Sequence, residues 1–81
     1  MFCSKAPYTY INKGTGTFCD NNPGGINEGV YTSQAACENA CSANAACVAY
    51  DWFEPKQWCV VAESCTVKTG GGWLHVEKQA T

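Results

Sequence analysis

The sequence predicts an α+β fold, a small disulfide-stapled domain with one helix, at about residues 33–43, packed on a small antiparallel β-sheet. The first observation is seven cysteines in 81 residues, a density typical of a disulfide scaffold. The second is that Cys37 and Cys41 lie four apart in an Ala-rich stretch, which places them on one face of a helix. The third is a β-like alternation directly after that stretch.

The predicted helix has recognisable start and end signals. Thr32 or Ser33 is suited to cap its N-terminus, and residues 34–43 then form about three turns. Asn44 fits the C-terminal end. The thiols on one face of this helix can both point at the strand that follows.

The segment before the helix is predicted to be irregular. Residues 8–11 favour an extended conformation because they are aromatic or β-branched, and residues 17–19 form a short strand. Between them, residues 12–16 are predicted as a turn, and residues 20–25 are predicted as a loop because turn-forming residues dominate them.

The segment after the helix is predicted to form a hairpin and a last strand. Residues 48–53 alternate as a strand does, residues 54–57 make a turn, and residues 58–62 return as the partner strand. Residues 70–72, all glycine, are predicted as a flexible break before a last strand at residues 73–77.

The pattern from Cys37 to Cys59 resembles the PAN/Apple family. There a helix carries two cysteines four apart, a third cysteine precedes a strand, and a fourth lies on the next strand before hydrophobic residues. Here these are Cys37, Cys41, Cys47 and Cys59. The resemblance covers about residues 17–77, which we take as the domain. Residues 1–16 are then an N-terminal extended segment and residues 78–81 a C-terminal tail.

The resemblance also implies disulfide pairs. Cys37 would pair with Cys59 and Cys41 with Cys47, although six cysteines allow about 15 connectivities and the sequence selects none of them. Family members often add a bridge between their N- and C-terminal parts, which Cys3 or Cys19 with Cys65 would supply. We favour Cys19 with Cys65, which leaves Cys3 as a free thiol or an intermolecular link.

The cysteines also bear on where the protein resides. Disulfides persist in oxidising compartments, so we expect a secreted, cell-surface or organelle-lumen protein. The first residues do not form a secretory signal, so we expect either that a leader has been removed, which we favour, or that the sequence is a segment of a longer protein. No apolar run is long enough for a membrane span, so we expect no membrane insertion.

The charge pattern disfavours polyanionic ligands. The formal net charge is −2, and the five basic residues are all lysines scattered along the chain. Binding of nucleic acid requires a basic face, often with arginine, so we expect no nucleic-acid partner.

Catalysis and metal binding are both disfavoured, and we predict a non-enzyme without a cofactor. A cysteine nucleophile needs a nearby base, and His75 is the single histidine, expected to be solvated on the polar face of its strand. Structural zinc sites use two pairs of closely spaced ligands, whereas this sequence has one such pair, Cys37 and Cys41.

The aromatic residues suggest a ligand surface. Alternation assigns Val48, Tyr50 and Trp52 to the core, so Asp51 and Phe53 are expected to face outward. With the adjacent turn, they define a hypothetical ligand surface of Asp51, Phe53, Glu54, Gln57 and Trp58. An exposed aromatic ring there can stack on a sugar while amides and carboxylates hold its hydroxyls.

The resemblance and this surface together predict a non-catalytic recognition module that binds carbohydrate or protein. One alternative is a structural interaction domain or small accessory subunit that docks through an apolar patch. Another is a small secreted effector or inhibitor, for which disulfide scaffolds are common.

Overall fold

The computed structural model describes residues 8–20, 26–30 and 32–80, and within them one helix packs on one antiparallel sheet. The elements are β1 (Tyr8–Cys19), β2 (Ile26–Val30), α1 (Gln34–Ala43), β3 (Ala49–Phe53), β4 (Trp58–Ala62) and β5 (Val67–Ala80). The predicted α+β class with a single helix is confirmed for this part of the chain.

The sheet has five strands in the order β1-β5-β3-β4-β2, and every neighbouring pair is antiparallel. The hairpin β3–β4 therefore occupies the middle of the sheet, with the predicted turn at residues 54–57. Strand β5 joins that hairpin to the long edge strand β1. Helix α1 lies against β3 and β4.

Local sequence signals determine both ends of α1. The Ser33 hydroxyl accepts a hydrogen bond from the backbone N–H of Ala36 at 3.2 Å, which is N-capping geometry. At the other end, the backbone N–H of Asn44 donates to the Cys41 carbonyl. The predicted helix bounds are confirmed.

The main core lies between α1 and the sheet face that it covers. Its buried members come from the helix, the corner after it and three strands: Cys37, Cys41, Cys47, Tyr50, Trp52, Cys59, Val61 and Val76. The assignment of Tyr50 and Trp52 to the core is confirmed, whereas that of Val48 is wrong because its side chain is 42% exposed. Val48 lies just before β3, and its backbone bonds to Ala62 and Lys78 hold it in the sheet while its side chain stays outside the core.

Three disulfides connect the elements in the pairing that we favoured. Cys37–Cys59 joins α1 to β4, Cys41–Cys47 closes the corner after the helix, and Cys19–Cys65 joins the end of β1 to the segment before β5. Each bridge of this kind typically adds about 2–4 kcal/mol to the free energy of unfolding. The bridges indicate an oxidising, extracellular or lumenal setting.

The structure differs from the sequence-based divisions at both ends of the chain. Residues 12–16, predicted as a turn, lie within β1, and residues 70–72, predicted as a break, lie within β5. Strand β1 runs across the boundary placed after residue 16, and β5 runs past the boundary placed after residue 77. These boundaries therefore do not separate structural units, because β1 and β5 pair along most of their lengths. Strand β2 was not predicted.

Lys78 illustrates why residue 77 is not a boundary. Its Nζ donates hydrogen bonds of 3.0 Å to the carbonyls of Cys41 and Asn44, and it lies 3.8 Å from the ring centroid of Tyr8. A cation is stabilised at a helix C-terminus by the helix dipole. Burial lowers the pKa of this lysine. A residue assigned to a tail thus holds the end of α1 against the sheet.

Some sequence-based predictions lie outside the described residues. They are the fate of Cys3 and the conformation of residues 21–25. Within the described part of the chain, no helix is long and apolar enough to cross a membrane.

Candidate functional site

Three aromatic side chains meet at one end of the sheet, on the face away from α1. We call Phe53, Trp58 and Trp73 the aromatic cluster. The ring centroid of Phe53 lies 5.5 Å from that of Trp58 and 5.2 Å from that of Trp73, and the centroids of the two tryptophan rings lie 6.2 Å apart. The Trp58 ring stacks on those of Phe53 and Trp73, with interplanar angles of 26° and 28°, whereas the Phe53 and Trp73 rings are tilted by 39°. Trp58 is 40% exposed, so the cluster presents aromatic surface to solvent.

A glycine-rich bulge brings Trp73 to this cluster. Between the pairs Thr15–Leu74 and Thr17–Thr69, β1 has one residue, Gly16, whereas β5 has the four residues 70–73. The three consecutive glycines of the bulge all have positive φ, at 119°, 78° and 69°. Residues with a Cβ rarely adopt such angles, so this path depends on glycine. The predicted flexible break is instead the segment that positions Trp73.

Two predicted polar ligand residues lie in the turn that joins Phe53 to Trp58. Glu54 Oε1 accepts a 2.7 Å hydrogen bond from the Trp52 indole, and Gln57 Nε2 donates a 3.0 Å bond to the Thr32 carbonyl. Among the described residues, Glu54 Oε2 and Gln57 Oε1 have no hydrogen-bond partner, and both side chains are exposed. Both side chains thus lie in the turn between Phe53 and Trp58, and their hydrogen bonds lead to Trp52 and Thr32.

Asp51 does not belong to this surface, because its predicted exposure to solvent is wrong. Its side chain points away from α1, as the alternation requires, but it is only 2% exposed. Its Oδ2 accepts a 2.8 Å hydrogen bond from the backbone N–H of Cys19. Here the Cys19–Cys65 bridge packs with Ala49 and Ala62 as a second, smaller core. The face that sequence analysis treated as solvent-exposed is thus covered.

His75 is likewise buried rather than solvated, because it pairs with Asp51 beneath the Cys19–Cys65 bridge. It is 1% exposed, and its Nδ1 lies 2.8 Å from Asp51 Oδ1. Its Nε2 lies 3.2 Å from Glu77 Oε2. Donation to both carboxylates needs an N–H on each ring nitrogen, which is the charged imidazolium form. The three side chains form a row across β3 and β5, in which Asp51 and His75 are buried and Glu77 is partly exposed.

Burial and hydrogen bonding act in opposite directions on Asp51. Burial raises the pKa of its carboxyl because the charged form loses hydration. The hydrogen bond from Cys19 and the adjacent His75 lower this pKa and so offset part of the shift. Asp51 is therefore a buried carboxyl group that is held by hydrogen bonds from its neighbours.

The predicted ligand surface is only partly assembled. The rings of Phe53 and Trp58 stack, and Glu54 and Gln57 lie in the turn between them. Asp51 is buried and is not part of the surface. Trp73 is the member that sequence reasoning missed. Alternation along β5 placed it on the same side as His75, but its approach to Phe53 depends on the bulge. The run of three glycines next to it was the available signal.

Comparison of the chain with protein-family models, curated proteins and solved structures found no match. The fold and the site together define a small disulfide-rich α+β domain with a partly exposed aromatic cluster at one end of its sheet.

Proposed function

We propose that this protein is a non-catalytic, secreted or lumenal recognition module of PAN/Apple type, and that it binds carbohydrate through the aromatic cluster. The observation that carries the proposal is the exposure of Trp58, whose ring stacks on those of Phe53 and Trp73. Binding sites of this kind combine aromatic surface with a few polar groups that fix the ligand's orientation. Gln57 Oε1, in the turn next to Trp58, would accept a hydrogen bond from a sugar hydroxyl.

The chemistry of the described residues supports a binding rather than a catalytic role. The six described cysteines are all in disulfides, so none offers a thiolate nucleophile in this state. His75 and Asp51 are buried beneath the Cys19–Cys65 bridge, where a substrate has no access to them. The aromatic cluster is the part of the described surface with the features of a ligand contact.

Binding can be tested with a glycan array followed by calorimetric titration of any sugar that binds. We expect Trp58→Ala to weaken binding by roughly tenfold or more, equivalent to about 1.4 kcal/mol, because the stacking ring is lost. Val48→Ala is the matched control, since Val48 is also apolar and exposed but lies outside the cluster. The control is expected to bind as the parent protein does.

Two outcomes would contradict the carbohydrate proposal. One is an array without binding, and the other is equal affinity of the parent protein and Trp58→Ala. An array without binding, together with a stable oligomer in sedimentation velocity, would favour the alternative of a structural interaction domain.

A further inference from the structure

The second core contains a group of metal-ligating atoms that the recognition role does not use. The sulfurs of Cys19 and Cys65 and a ring nitrogen of His75 all lie within 4.8 Å of one another. Cys19 Sγ is 3.9 Å from His75 Nδ1, and Asp51 Oδ1 is 2.8 Å from the same nitrogen. Two sulfurs and one ring nitrogen thus converge from β1, β5 and the segment before β5, and Asp51 Oδ1 on β3 lies next to that nitrogen.

These distances are close to those of a tetrahedral zinc site. With metal–ligand bonds of about 2.0–2.3 Å, ligand atoms in such a site lie about 3.3–3.8 Å apart. The separations of His75 Nδ1 from Asp51 Oδ1 and from Cys19 Sγ differ from that spacing by about 0.5 Å or less. The two sulfurs, bonded to each other in the oxidised protein, would have to separate.

The surroundings of His75 match those of a metal ligand. Metal-binding histidines usually donate their other ring N–H to a carboxylate, which fixes the ring and its tautomer. Here Nδ1 faces the sulfurs and Nε2 lies 3.2 Å from Glu77 Oε2. Asp51 is held in the same way, since its Oδ2 accepts the backbone N–H of Cys19 while Oδ1 faces His75.

We propose that Cys19, Cys65, His75 and Asp51 form a redox-dependent metal site, which holds a disulfide when oxidised and binds a divalent cation such as Zn²⁺ when that bridge is reduced. A dithiol reductant supplies two electrons and two protons, so that the bridge becomes two thiols and the reductant becomes a cyclic disulfide. The cation then displaces both thiol protons and binds two thiolates, His75 Nδ1 and Asp51 Oδ1. This site is independent of the aromatic cluster.

The exposure of the bridges favours reduction at this one. Thiol attack on a disulfide needs access to a sulfur. All four cysteines of the other two bridges are buried, whereas Cys65 is only half-buried. Limiting reductant is therefore expected to open Cys19–Cys65 first.

The test uses the full chain with Cys3→Ser, which removes the one cysteine outside the three bridges. The protein is treated with limiting dithiothreitol and desalted, and alkylation with mass mapping confirms which thiols have formed. Cobalt(II) is then added as a spectroscopic probe of tetrahedral thiolate sites. We expect stoichiometric binding with thiolate-to-cobalt charge-transfer bands after reduction, no such bands in the oxidised protein, and loss of the bands when Zn²⁺ is added.

Two variants separate this site from other metal binding. Cys65→Ser removes one thiolate and is expected to abolish the charge-transfer spectrum of a two-thiolate site. Glu77→Gln removes the carboxylate behind His75 and is expected to lower metal affinity by about 10-fold or more. Glu63→Gln is its matched control, because Glu63 is exposed and contacts Asn44 instead.

Reduced protein that binds no cobalt would overturn the proposal, as would unchanged binding by Cys65→Ser. If the reduced, metal-free protein loses its native circular dichroism spectrum, the proposal requires one equivalent of Zn²⁺ to restore it. Absence of that recovery would also overturn it.

Discussion

Tyr50 is the buried residue whose titration reports most directly on the main core. Its side chain is fully buried between α1 and the sheet, and its hydroxyl donates a 2.8 Å hydrogen bond to Glu38. Gln34 donates a 3.2 Å hydrogen bond to the same hydroxyl. Burial raises the pKa of Tyr50, and the Glu38 carboxylate adds to this shift, while the bond from Gln34 opposes it.

The raised pKa of Tyr50 predicts a loss of stability in alkali. The unfolded chain releases the phenolic proton near pH ~10, whereas the folded protein retains it. Proton release therefore favours the unfolded state as the pH rises above about 10, by up to about 1.4 kcal/mol for each pH unit. Below that pH the contribution of this residue to stability is fully present. Urea unfolding at a series of pH values measures the effect.

Tyr50→Phe is the control for that series. It lacks the ionisable hydroxyl, so its free energy of unfolding should fall less steeply with pH, even though its stability at neutral pH is lower. Equal slopes for the two proteins would show that Tyr50 titrates normally in the folded state.

The elements differ in how far the sequence determines them. Helix α1 and hairpin β3–β4 follow from local signals: the Ser33 cap, the alternation through Tyr50 and Trp52, and the turn after Phe53. These signals act over a few residues, so a single sequence contains them. The disulfide pairs came from the resemblance, since spacing alone did not select them.

The burial of Asp51 and His75 could not be predicted in this way. Alternation correctly assigns Asp51 to the face away from the helix, but exposure depends on what covers that face. The covering residue Cys19 is 32 residues away from Asp51 in sequence, and His75 is 24 residues away. Contacts at such separations depend on the pairing of β5 with β3 and with β1, which no local pattern specifies.

The glycine bulge of β5 makes a prediction at the scale of one element. A Cβ on Gly71 would lie 2.7 Å from Trp73 Cδ1, so Gly71→Ala should displace Trp73 from the aromatic cluster. We expect a changed tryptophan fluorescence spectrum and weaker ligand binding. The positive φ of 78° adds a backbone cost of about 1–2 kcal/mol.

Gly70→Ala is the matched control, because Gly70 also has positive φ but a Cβ there meets no atom within 4 Å. Both variants should lose similar stability, while Gly71→Ala alone should alter fluorescence and binding. Identical spectra for the two variants would show that the bulge does not position Trp73.

At the scale of the whole molecule, the disulfides and the sheet fix the position of the aromatic cluster but do not form part of its surface. Cys37–Cys59 fixes β4 to α1 one residue after Trp58, and Cys19–Cys65 fixes the ends of β1 and β5 over the second core. Binding therefore loses little conformational entropy at these rings, because the backbone that carries them is already ordered. A small domain of this kind gains both stability and a preorganised surface from its disulfides.

The central claim is that ligand binds at the aromatic cluster, and the indole N–H signals of the three tryptophans test it most directly. Isotope-labelled protein is titrated with a sugar identified on the array, and NMR spectra correlate each indole proton with its nitrogen. Trp52 is an internal control, since it is buried and its indole donates to Glu54. The account predicts that the signals of Trp58 and Trp73 shift with ligand while that of Trp52 shifts little. Saturable binding that leaves the Trp58 and Trp73 signals unmoved would contradict it.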